Sequence, residues 1–110
     1  MRKVKVGGIP YQIRFSEDQR TVAPEYSEAM FLHGCASYHE HYIGLHNSKT
    51  PGEIEHTFFH ELTHLIVDAY HIHNMTDENG EHLEDSIDLF GMGLADAIKS
   101  LGINIKDYIK

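Results

Sequence analysis

The chain has 110 residues, with 9 basic and 17 acidic side chains and a net charge of −8 when histidine is neutral. That length supports one domain, residues 1–110, with a modest core, and the charge lacks the basic footprint of a nucleic-acid-binding domain. No apolar run approaches the roughly 20 residues needed to cross a membrane, so neither nucleic acid nor membrane is an expected partner. Cys35 is the sole cysteine. It forbids an intrachain disulfide and fits a reducing compartment. A small buried side chain is its simplest role. Met1-Arg2-Lys3 leads into an alternating stretch with no apolar signal core, which points to the cytoplasm.

Residues 2–6 (Arg-Lys-Val-Lys-Val) alternate charged and apolar, Gly7-Gly8-Ile9-Pro10 reads as a turn, and Tyr11-Gln12-Ile13-Arg14-Phe15 alternates again. This is the pattern of a hairpin with one buried face. Residues 25–32 read as either a short helix or irregular chain, ended by Gly34. Residues 36–40 and 42–46 read as two further strands, the second carrying Ile43 and Leu45.

Thr50-Pro51-Gly52-Glu53 is a helix start, with Thr50 as N-cap, Pro51 at the first helical position and Glu53 placed for a capping box. Ile54, Phe58, Leu62, Leu65, Ile66 and Ala69 follow at helical spacing, so the helix spans about residues 51–70. Inside it stands His60-Glu61-Leu62-Thr63-His64, an H-E-x-x-H pattern. Residues four apart lie on one helix face, one turn above the other. Two neutral imidazoles there can therefore close on one zinc ion, with Glu61 beside them as general base. His56 lies one further turn back, and at about 12 Å from His64 along the axis it is too far to share that ion.

A catalytic zinc takes a third protein ligand. After the turn-rich stretch 71–80, Leu83, Ile87, Phe90, Leu94, Ala97, Ile98 and Leu101 repeat at helical spacing, with Gly102 placed as C-cap. Glu84 falls in the opening turns of this second helix and is the expected third ligand. Glu81, His82, Asp85, His71 and His73 compete for that place. Asp88, one turn on from Glu84, is placed to accept a hydrogen bond from the outer nitrogen of a ligating histidine. The ordinary reading of both acids is an acidic first turn favoured by the helix dipole. Gly91 and Gly93 within this helix each cost about 1 kcal/mol relative to alanine. They imply either close approach to the first helix or a break near Met92. His33, His39, His41, His46, His71, His73 and His82 read as surface groups, and Tyr42, Tyr70 and His73 are candidates to stabilise an oxyanion. Strands first and long helices later give an α+β fold, a small and mostly antiparallel sheet packed on two helices.

His60-Glu61-x-x-His64, nineteen intervening residues and then Glu84-x-x-x-Asp88 resembles the gluzincin arrangement of thermolysin-type metallopeptidases. Thr57-Phe58-Phe59-His60-Glu61-Leu62-Thr63-His64 together with Glu84-Asp85-Ser86-Ile87-Asp88-Leu89-Phe90-Gly91 is most similar to the small ImmA/IrrE-like metallopeptidases, often found in phages and mobile elements. The resemblance covers roughly residues 34–95. It implies a minimal zincin-like domain with Zn²⁺ held by His60, His64 and Glu84. A metzincin would want glycine at 67 and histidine at 70, where this chain has Val67 and Tyr70. The expectation is a zinc-dependent endopeptidase acting on a protein or peptide, with a repressor or host regulator as a candidate substrate. The strand at 42–46 is expected as the edge that pairs with an extended peptide. Two alternatives stand beside it. One is a zinc-binding regulatory module that docks to a repressor or host protein without cleaving it. The other is a self-inhibited peptidase whose tail, residues 104–110, covers the site and brings Asp107 to the metal. A plain helix that merely carries two histidines is the least demanding reading.

Overall fold

The computed structural model describes residues 2–16, 34–46 and 49–109. The expected element at 25–32 and His33 lie outside them. β1 (Lys3–Val6) and β2 (Ile9–Ser16) form the first hairpin, in antiparallel register from Lys3↔Gln12 to Val6↔Ile9. The turn is Gly7-Gly8 alone, with φ of 59° and 81°. Positive φ at both central positions matches the twist of paired strands and suits glycine. Ile9 and Pro10, expected in the turn, already belong to β2.

β3 (Gly34–Ser37) and β4 (Tyr42–His46) form the second hairpin, and β4 also lies parallel to β2, from Gln12↔Tyr42 to Ser16↔His46. The strand order is β1-β2-β4-β3, a mostly antiparallel sheet in an α+β fold. Two expectations are corrected here. β4 has a hydrogen-bonded neighbour on each side, so it is an interior strand and cannot be the edge that pairs with a peptide. β3 also starts and stops two or three residues earlier than its apolar pattern suggested. Residues 38–41 instead form the turn, where Ser37 Oγ accepts the Glu40 N–H at 3.0 Å and His41 takes a φ of 58°. Gly34 opens β3, and glycine is needed there because a Cβ would lie 2.6 Å from Thr57 Cγ2.

α1 (Pro51–Tyr70) carries the H-E-x-x-H run. Its start is capped: the Glu53 N–H donates to Thr50 Oγ1 at 3.3 Å, and the Thr50 hydroxyl donates to Glu53 Oε1 at 2.9 Å. Glu53 thus closes the motif on the hydroxyl, a variant of the usual reciprocal box. One side of α1 packs on β1, β3 and β4, the other on α2 (Glu84–Ser100). Ile54, Phe58, Phe59 and Leu65 enter a core shared with Val6, Tyr11, Ile13, Ala36, Ile43 and Leu45, while Leu62, Ile66 and Ala69 pack at its margin. Ile43, Leu45, Leu65 and Ile87 are at most 1% exposed, each contributing about 1.5–3 kcal/mol by burial. A short terminal helix, α3 (Lys106–Ile109), sends Ile109 into the same core.

α2 is continuous through Met92, which removes the expectation of a break. Its seam differs from the apolar repeat read off the sequence. Ile87 and Gly91 are buried and Leu94, Ala95 and Ile98 pack at the core margin, whereas Phe90 and Leu101 are exposed. Gly91 sets this phase. A Cβ there would lie 3.2 Å from the Phe59 C and O atoms and from His60 N, so the α2 backbone touches the α1 backbone at the metal motif itself. Gly93 has nothing within 4 Å of such a Cβ.

The two glycines therefore separate helix propensity from packing. Gly93→Ala should stabilise the fold by about 0.5–1 kcal/mol. Gly91→Ala should destabilise it by about 1–2 kcal/mol, because unyielding backbone atoms face the new methyl and overpacking outweighs the propensity gain. Thermal or urea unfolding of the two variants checks both signs.

Candidate metal centre

His60 and His64 project from successive turns of α1 toward Glu84, the first residue of α2. Their Nε2 atoms are 3.2 Å apart. Glu84 straddles them, with Oε2 3.2 Å from His60 Nε2 and Oε1 3.2 Å from His64 Nε2. Among the described residues, His60, His64 and Glu84 form the group able to hold a metal ion. The spacing suits one. Ligands at about 2.0–2.1 Å from a tetrahedral ion sit roughly 3.3 Å from one another. Glu81, His82, Asp85, His71 and His73, the competitors for the third place, do not join the group.

The hydrogen bonds on the outer side of each ring show what the inner side offers. His60 Nδ1 is 3.0 Å from Asp88 Oδ1. A carboxylate only accepts, so Nδ1 carries a proton, and a ring whose single proton is held there has an Nε2 lone pair to offer a metal ion. The same Asp88 oxygen lies 2.8 Å from His56 Nε2. His56 thus braces the aspartate and stays off the metal position. The bonds from His60 and His56 hold the Asp88 carboxyl below its ordinary range. For His64, burial keeps the imidazole below its usual pKa although Glu84 opposes the shift, so the ring is neutral at pH 7. No lysine or arginine stands between Lys49 and Lys99 in the sequence. Lys99, the single lysine or arginine of the two helices, pairs with Glu55 at 3.7 Å, so the imidazoles and Glu84 favour an external cation. The donor set of two imidazoles and a carboxylate suits zinc.

The imidazoles are largely sheltered, at 22% and 13% exposed, while the Glu84 side chain is 66% exposed. Solvent therefore reaches the centre past Glu84. Glu61 is half-buried, and its carboxyl is pushed up to about 7, first by burial and then by the Glu84 charge, against the pull of His60. It lies close enough to both neighbours to feel them. Thr63, on the buried side of α1, satisfies its hydroxyl on the Phe59 carbonyl at 2.7 Å.

Several expected roles change. Tyr42 is fully buried under the Arg14 guanidinium, 4.2 Å from its ring centroid, and cannot meet a substrate. Tyr70 is 63% exposed at the end of α1, and His73 is exposed in the 3₁₀ turn His73–Met75. Asp107 is exposed and does not join the metal group, while Ile109 anchors the tail in the core. Ile109 thus makes the tail part of the packing, and among the described residues Asp107 lies outside the group that could hold a metal. His82, expected at the surface, meets His64: their Nδ1 atoms are 2.7 Å apart. Tyr38 donates its hydroxyl to the His64 carbonyl at 3.4 Å and sets its ring edge-on to His82. No periodicity marks Tyr38. His82 sits two residues before Glu84, but that spacing alone does not distinguish a ligand from a ligand's neighbour.

Protein purified without an affinity tag should bind one divalent metal ion per chain. Glu84→Ala should weaken binding by more than about 100-fold, and Asp88→Ala by roughly 10–100-fold as an outer partner. Affinity should fall as pH drops through the imidazole range, because protons compete for the same lone pairs. Titration against a chelating dye at several pH values measures all three. Comparison with protein-family profiles, with curated proteins and with solved structures returns no match for this chain.

Proposed function

We propose that this chain is a zinc-dependent endopeptidase of the gluzincin kind, similar to the small ImmA/IrrE-like metallopeptidases. The observation that carries the reading is the meeting of His60, His64 and Glu84 beside Glu61. Zinc bound there would polarise the scissile carbonyl and make a water nucleophilic near neutral pH. His60, His64 and Glu84 hold the ion, and Asp88 orients His60. Glu61 accepts a proton from the attacking water and delivers it to the leaving amine. Its half-buried place suits both steps, since a carboxyl poised near 7 can take and return a proton. The exposed Glu84 side chain leaves that edge of the centre open to solvent, the side from which a peptide would approach. A repressor or host regulator is the substrate class the resemblance implies, and a sole, buried cysteine, Cys35, fits a cytoplasmic setting.

A second reading is a metal-bound regulatory module that docks to its partner without cutting it. It draws support from Leu89, Phe90 and Met92, which α2 leaves 68%, 50% and 45% exposed close to Glu84 and Asp88, since clustered exposed apolar side chains mark interaction surfaces.

Glu61→Gln separates the two. Under the peptidase reading it keeps zinc but loses cleavage of a general protein substrate by about 10²–10⁴-fold. Cleavage at the unsubstituted rate removes Glu61 from the chemistry, and a zinc-loaded parent chain that cuts nothing favours docking. In the active protein the acid limb of kcat/KM should lie below pH 7. Glu61 is protonated below about 7 in the metal-free chain, and a neighbouring dication stabilises the carboxylate and lowers that value.

A further inference from the structure

His64 and His82 share a hydrogen bond whose geometry is unusual for two histidines. The Nδ1 atoms are 2.7 Å apart, the ring planes are within 15° and the centroids are 5.0 Å apart. Rings so nearly coplanar, joined nitrogen to nitrogen, lie edge to edge; the contact is an in-plane N–H···N bond and not a stack. One nitrogen must donate and the other accept. A neutral imidazole carries a single N–H, so the partner's choice decides which nitrogen of His64 keeps a lone pair. If His64 Nδ1 donates, its Nε2 is free to bind a cation beside Glu84 and His60. If His64 Nδ1 accepts, the proton sits on Nε2 and blocks that position.

We infer that His82 is a positioning residue, the acceptor that holds His64 in the metal-binding tautomer, as Asp88 does for His60. The inference rests on the metal centre of the proposed function and is independent of the peptide chemistry. His82 touches no ion itself; it acts through His64. Its ring is well placed to do so. A backbone bridge pairs Thr76 with His82, and the Leu83 N–H donates to the Met75 carbonyl at 2.9 Å, which pins the chain on both sides of the residue. Tyr38 meets the pair from β3's end, with its ring 6.4 Å from His82 and its hydroxyl on the His64 carbonyl. The turn-rich stretch between α1 and α2 thereby has a task beyond linking the helices: it delivers an acceptor to the outer edge of the second histidine. The two rings are oriented by different chemistry, an anionic carboxylate for His60 and a neutral imidazole for His64. An anionic partner raises the basicity of its ligand more, so His60 should be the stronger donor of the two.

The test uses the full chain with His82→Asn, whose amide oxygen can take the acceptor's place, and His82→Leu, which has none. Zinc affinity should fall about 10–100-fold in His82→Leu and stay within about threefold of the parent in His82→Asn. In the zinc-loaded, ¹⁵N-labelled parent, the His64 Nδ1 proton should show coupling to the Nδ1 nitrogens of both rings. Equal losses in the two variants, or no loss in either, overturn the inference while leaving the metal centre in place. A zinc-loaded parent whose His64 carries no Nδ1 proton overturns it without any variant, so a His82→Leu chain that fails to fold does not shield it. A parent that takes up no zinc removes the centre and this inference together.

Discussion

An acid at the start of α2 and two imidazoles in the middle of α1 share a few ångströms only because the helices meet backbone to backbone. The contact is at Gly91, against the Phe59 carbonyl and the His60 nitrogen. Glu84, Ile87, Asp88 and Gly91 lie at helical spacings of three and four, so one face of α2 presents a candidate ligand, a core residue, a brace and a bare backbone in two turns. A side chain at 91 would lift this face as a unit. The fold's largest helix–helix seam and its metal geometry are thus one constraint, and stability and metal affinity are expected to move together along it.

The second constraint is the direction of protons. Imidazoles 3.2 Å apart at their inner nitrogens, each also 3.2 Å from a Glu84 oxygen, form a tight group that a cation would bridge. Here the outer nitrogens are both engaged, His60 on Asp88 and His64 on His82. With a metal bound, each outer bond would hold the ring proton on the far side and leave the near side to the ion. The chain has therefore spent four histidines and two acids, including His56 behind Asp88, on one small volume. Part of its unusual histidine content is explained by this network. His39 and His41 remain as turn residues beside β4, and His71 caps α1 in a left-handed conformation.

The sheet sets the platform. β4 is buried between β2 and β3, and Phe58, Phe59 and Leu65 of α1 join its Ile43 and Leu45 in one core. An interior strand holds α1 rigidly, which a precise metal geometry needs, but it gives up the role of a peptide-pairing edge. Among the described residues, β3 is the outer strand on that side, and it runs directly into Tyr38 and the His64–His82 pair.

Local chemistry along the chain was enough to determine the first hairpin, the capped helix at 51–70 and the shared face of His60 and His64, because each depends on residues within a turn or a tight bend of one another. It also narrowed the third ligand to a short stretch with Glu84 foremost. Tertiary structure alone decided the rest. Strand order is a matter of which edges meet across 17 intervening positions of sequence between β2 and β3, so an apolar pattern could not show that β4 is interior. The phase of α2 was misread because apolar residues at 90 and 101 outweigh a glycine in any periodicity, although the glycine is what permits contact. His82 became the partner of His64, and not a surface group or a ligand, because the bridge to Thr76 aims its ring at the outer nitrogen. Spacing along the chain records which groups share a face; it holds no information about which faces the folded chain presses together.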